Sequence, residues 1–156
     1  MIVDTDLLQA LAASDLCSDY YGLCSDYPAR LDRPGPTMNA KQIVETACGR
    51  IGIEKLSGPG RVYRLLAPAD GIALNCIIGS SGYVETDLKM HHVGERSTFA
   101  ILCKQIHQLQ TGVTPDPPYQ RPRCVAPGEL IAIMIRLAEL TFVLAAKLPT
   151  SKLGND

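Results

Sequence analysis

Residues 130–148, LIAIMIRLAELTFVLAAKL, form a 19-residue run that is almost entirely apolar. No Pro or Gly interrupts it, so it predicts a helix of about five turns. Such a helix must either enter a bilayer or be wrapped by the rest of its own fold. Arg136 and Glu139 stand near its middle, and each costs about 2.5–3.5 kcal/mol at a bilayer centre. At the helical repeat Glu129, Arg136, Glu139, Val143 and Lys147 fall on one narrow stripe, while apolar residues fill the remaining circumference. The expectation is therefore a buried helix with one wet edge and no membrane span.

A helix of this kind needs a large apolar partner surface. Three strand-like runs can supply part of it: RVYRLL (61–66), IALNCIIG (72–79) and YVETDLKM (83–90). In the third, Val84, Thr86, Leu88 and Met90 alternate with Tyr83, Glu85, Asp87 and Lys89, as in a sheet with one wet face. The turns PADG (68–71) and GSSG (79–82) are short enough to make these runs an antiparallel meander. The core they help to build must be mainly aliphatic, because the chain has no Trp and only two Phe.

Helices flank the meander. Asn39 with Gln42 three residues later resembles a capping box, and Ile43, Val44, Ala47, Cys48 and Ile51 predict an amphipathic helix over 40–51. Ser97 offers a cap for a second helix reaching about Gln110, with Phe99, Leu102 and Ile106 in a stripe. TPDPPYQRPRC (114–124) should be extended, and Pro127 suits the first turn of the long helix. The predicted class is α+β, a three-stranded antiparallel meander flanked by helices in the order α-β-β-β-α-α, with an N-terminal helical leader.

The leader spans residues 1–37. It holds six aspartates against two arginines, whereas the rest of the chain has a small basic excess. Asp4 or Thr5 can cap a helix over 6–13. LCSDY then occurs twice, at 16–20 and 23–27, placing Leu16, Tyr20, Leu23 and Tyr27 at the 4-3-4 spacing of a helical seam. Gly22 lies inside it. PARLDRPGPT (28–37), with three prolines, reads as a linker, so the expected division is a leader over 1–37 and a compact α+β domain over 38–156. The domain is expected to fold without the leader. No basic n-region precedes the first apolar residues, and the six cysteines are scattered, so the thiols read as reduced and the protein as cytoplasmic.

The order over residues 40–110 resembles that of the double-stranded-RNA-binding domain. The lysine cluster that opens that family's second helix is replaced here by Ser97-Thr98-Phe99-Ala100-Ile101. With its final helix added, the order is also similar to small dimeric type III secretion chaperones, although TPDPPYQRPRC stands where that family has another strand pair. Both resemblances extend to element order alone.

The candidate chemistry is sparse. SGPG and GSSG match neither a P-loop nor a dinucleotide fingerprint. Cys103 and His107 stand four apart on one helix, and with His91 and His92 they form the only zinc or thiol-enzyme constellation worth testing. Arg61, Arg64, Arg121 and Arg123, with Tyr119, form a candidate basic binding patch that could touch nucleic acid. Ile131, Met134, Leu137, Ala138 and Phe142 on the long helix are candidate homodimer contacts. The leading expectation is a non-enzymatic protein-binding module of the adaptor, inhibitor or chaperone kind, homodimeric, with another protein as partner and no cofactor. A nucleic-acid regulator and a zinc or thiol enzyme are the alternatives.

Overall fold

The computed structural model describes residues 4–29 and 38–148, excepting the side chain of His92. The linker expected over 28–37 and the tail after Leu148 therefore fall largely outside the described residues. Five strands form one antiparallel sheet in sequential order: β1 (Ile53–Lys55), β2 (Val62–Leu65), β3 (Ile72–Ile78), β4 (Val84–Met90) and β5 (Glu95–Ser97). The three expected runs are β2, β3 and β4. The two outer strands have three residues each, too few to show an alternation in sequence. They are added by pairing, Ile53 opposite Leu65 and Ser97 opposite Leu88.

The alternation decides which face is covered. Tyr63, Leu65, Leu74, Cys76, Val84, Thr86, Leu88 and Met90 are buried against helices. Arg64, Asn75 and Asp87 lie in register on the opposite face. There Asp87 receives two hydrogen bonds from Arg96, at 2.7 and 2.8 Å.

The helices are α1 (Thr5–Ala12), α2 (Leu16–Asp26), α3 (Ala40–Ala47), α4 (Phe99–Thr111) and α5 (Pro127–Lys147). The capping box forms as expected: Gln42 N donates to Asn39 Oδ1 at 2.9 Å, and Asn39 N donates to Gln42 Oε1 at 3.0 Å. At α4 the cap is Thr98, not Ser97; Ile101 N donates to its Oγ1 at 2.9 Å. Ser97 is occupied by strand pairing, so the hydroxyl one residue later takes the role. Gly112, at φ 71°, ends the helix in the left-handed conformation that glycine adopts without strain.

α5 is enclosed as its composition demands. It packs against β3, α1, α2 and α3, while Glu139, Phe142 and Lys147 stay exposed. No helix among the described residues is long and apolar enough to cross a membrane. Thr141, fully buried on α5, donates to the Ala138 carbonyl at 2.6 Å and accepts from Ala69 N at 3.0 Å. One hydroxyl thereby ties the β2–β3 turn to the long helix and leaves no orphaned donor.

The leader is part of the same core. Leu7, Leu8 and Leu11 of α1, and Leu16, Tyr20, Leu23 and Cys24 of α2, are buried among residues of α4 and α5. The doubled LCSDY is thus one helix, and its seam faces inward. Composition changes at residue 37, but packing crosses that point.

Gly22 sits inside α2 where an added Cβ would meet only Arg136 Nη2, at 4.0 Å. Gly22→Ala is expected to stabilise the protein by about 1 kcal/mol, the helix-propensity difference, measured as a higher urea midpoint. A lower midpoint would show that α2 is not a regular helix at this position.

Candidate binding cleft

The Pro-rich segment is held extended by both of its neighbours. Val84 N donates to the Pro122 carbonyl and Cys124 N to the Gly82 carbonyl, each at 2.9 Å, which pairs Arg123 with Tyr83 beside β4. On the other side Arg123 N donates to the Tyr27 carbonyl at 2.9 Å. Tyr20 of α2 donates through its Oη to the Gln120 carbonyl at 2.7 Å, and its ring stacks on Phe99 at 5.7 Å. The segment therefore bridges the edge of the sheet and the end of α2.

Between them lies an open cleft of about 350 Å³. Cys24, Ser25, Pro28 and Ala29 line one side; Pro117, Tyr119, Gln120 and Arg121 line the other, with Tyr83 just before β4. The Arg121 guanidinium carbon stands 4.7 Å from the Tyr83 ring centre and 5.4 Å from that of Tyr119. Its Nη1 is 3.9 Å from Glu85 Oε2, and the same carboxylate oxygen accepts a 2.6 Å hydrogen bond from Tyr119 Oη. Thr98 Oγ1 lies 3.3 Å from that phenol oxygen. Burial and then the adjacent Glu85 carboxylate raise the Tyr119 phenol above its usual range, so it stays a protonated donor. Cation–π attraction and the shared carboxylate hold the arginine in one orientation. Its Nε is nonetheless buried without a hydrogen-bond partner among the described residues.

The candidate patch is thus divided. Tyr119 and Arg121 meet in the cleft. Arg123 is adjacent but buried, and its Nε donates to the Ser81 carbonyl at 2.6 Å. Arg61 precedes β2 at the same end of the sheet, where its charge is felt by the Cys124 thiol. Arg64 points from the uncovered sheet face and lies 3.8 Å from Glu54. Tyr83 and Glu85 complete the site. Their alternation marks them as outward-facing in sequence, but nothing there shows that the Pro-rich segment folds back over them.

The proposed dimer contacts are placed differently from one another. Ile131, Met134 and Leu137 are completely buried inside their own chain, because α1, α2 and α3 take up the apolar surface that the sheet alone would leave open. Ala138 is half-buried, and Phe142 is 58% exposed.

Cys103 and His107 do lie one turn apart on α4, but Cys103 is fully buried. Burial holds that thiol well above its ordinary range, which suppresses the thiolate a nucleophile requires. His91 falls in a 3-10 turn after β4. Among the described residues, no three His, Cys, Asp or Glu side chains converge on a metal position. The His92 side chain lies outside the described residues. The chain matches no protein-family model, no curated protein and no solved structure at a significant level.

Proposed function

We propose that the protein is a non-enzymatic protein-binding module, and that the cleft between α2 and the Pro-rich segment receives an extended stretch of its partner. The observation that carries this reading is the Tyr83–Arg121–Tyr119 stack, fixed on Glu85 and flanked by prolines. Tyrosine and arginine are the side chains that most often dominate protein interfaces, because each joins apolar area to directed hydrogen bonding. Rings and prolines provide a rigid wall for an extended backbone. The partly exposed Arg121 guanidinium lines the cleft and offers donors to a carbonyl or carboxylate on the incoming chain.

A peptide-display selection against the full chain tests this. Enriched peptides should share a sequence pattern, and Arg121→Ala should weaken their binding by about tenfold or more, an effect of at least about 1.4 kcal/mol. Selection of no peptide family, or a family indifferent to Arg121→Ala and Tyr119→Ala, would remove the reading. A nucleic-acid function has less support, since Arg64 is engaged by Glu54 and Arg123 by the Ser81 carbonyl.

Homo-oligomerisation is the second part of the proposal and rests on Phe142, exposed on α5. Phe142→Asp is expected to convert the assembly to a monomer in sedimentation without changing the circular dichroism spectrum. A wild-type chain already monomeric at micromolar concentration would rule the oligomer out.

A further inference from the structure

We propose that the outer side of α5 docks on the same side of a second copy, as an antiparallel helix pair whose two-fold axis passes between Ala138 and Glu139. This rests on the homo-oligomer proposed above and names its contact. At the helical repeat Ala132, Ile135, Ala138, Glu139, Phe142 and Ala146 share the side of α5 turned away from the core. Ala132, Ile135 and Ala138 are half-buried, while Glu139, Phe142 and Ala146 are exposed. All but Glu139 are apolar, on a side that meets water in the single chain.

The sizes and charges along this side complement their own reversed order, as a two-fold contact requires. Reversed about the point between Ala138 and Glu139, Ile135 comes level with the partner's Phe142, and Phe142 with the partner's Ile135. Ala132 falls within one residue of the partner's Ala146, so small side chains at both ends let the backbones approach. Arg136 comes within about 3 Å along the axis of the partner's Glu139, at 1.5 Å per residue. Exchange makes two such pairs. The two Glu139 carboxylates meet near the axis with an arginine from each chain beside them, a neutral quartet. A parallel pair would instead set Arg136 against Arg136 and Glu139 against Glu139.

The single chain leaves both charges available. Glu139 has no ion pair among the described residues. Arg136 Nη1 donates to Asp26 at 2.6 Å, and its side chain makes no other hydrogen bond among the described residues. Arg136 and Glu139 line an open groove of about 310 Å³ between α2 and α5, with Asp19, Leu140 and Val143. The groove has room for the partner's guanidinium.

Cysteine cross-linking of the full chain reads the register, in a Cys48→Ser background that removes the exposed native thiol. Chains carrying Ala132→Cys, mixed with chains carrying Ala146→Cys, should link to each other under mild oxidation. Neither should link to itself, because like positions lie about 20 Å apart along the pair. Charge reversal gives an independent readout. Arg136→Glu and Glu139→Arg should each weaken self-association by about tenfold or more, with an unchanged circular dichroism spectrum. Mixing the two should restore association as a heterodimer, since every facing pair is then opposite in charge. A wild-type dimer without the 132–146 link, or an Ala132→Cys chain that links to itself, would overturn this contact and leave the homo-oligomer standing. A wild-type chain monomeric at micromolar concentration removes both. If a cysteine variant does not fold, the charge-reversed mixture decides, and a mixture no tighter than its components overturns the contact.

Discussion

Deleting residues 1–37 is expected to abolish cooperative folding of what remains. Seven side chains of α1 and α2 are buried in the shared core: Leu7, Leu8, Leu11, Leu16, Tyr20, Leu23 and Cys24. A fully buried large apolar side chain contributes about 1.5–3 kcal/mol. Several such losses together reach the about 5–15 kcal/mol by which a domain is stable at all. The deletion also saves the entropy of ordering those residues, which lessens the loss. It does not restore cover to the buried faces of α4 and α5 that the two helices protect, and these would meet water. The 38–156 fragment should show a broad, non-cooperative melt and exposed apolar surface. A sharp native-like melt for the fragment would mean that α1 and α2 dock on a domain complete without them. That alternative is what the proline-rich composition of 28–37 suggests.

Tyr20→Ala should have the largest effect of any single substitution, a loss of about 3–5 kcal/mol by urea denaturation. Tyr20 is 1% exposed, stacks on Phe99, and donates its phenol hydrogen to the Gln120 carbonyl. It is the side chain through which the leader, the second half of the core and the Pro-rich segment meet. Tyr20→Phe separates these contributions. The ring and its packing remain, but the Gln120 carbonyl loses its donor, at a cost of about 1–3 kcal/mol. Amide exchange in segment 114–124 should rise in this variant more than exchange in the sheet. If Tyr20→Ala lies within 1 kcal/mol of wild type, α2 is not packed as described.

These two results bear on different sources of order. The elements themselves are legible in local sequence. Alternation in YVETDLKM requires a strand with one wet face, and β4 buries Val84, Thr86, Leu88 and Met90 as that pattern demands. Asn39 and Gln42 specify a helix start because their reciprocal bonds involve neighbours alone. The stripe through Arg136 and Glu139 shows that α5 has one wet edge for the same reason: a helix places those residues together whatever surrounds it. β1 and β5 were not legible, since three residues carry no usable period and exist as strands only through their partners.

The candidate cleft divides along the same line. Tyr119 and Arg121 stand out in sequence as an aromatic and a cation in a stiff Pro-rich stretch. Their partners, Tyr83 and Glu85, are about 35 residues away in a strand, a separation that no local pattern bridges. Arg123 has the same residue type as Arg121 and is two positions distant, yet it is buried on the Ser81 carbonyl. Strand pairing at Tyr83–Arg123, not residue identity, separates their roles.

By itself the amino-acid sequence determined the α+β class, the central meander, the capped helix α3 and the amphipathic character of α5. All of these follow from periodicities and caps acting within a few residues. The tertiary structure alone decided that α1 and α2 belong to the core, that Ile131, Met134 and Leu137 face inward, and that Tyr83, Glu85, Tyr119 and Arg121 share one site. Those outcomes depend on which apolar faces find each other once the chain has closed its long loops, and burial is a property of the whole packing rather than of any one segment.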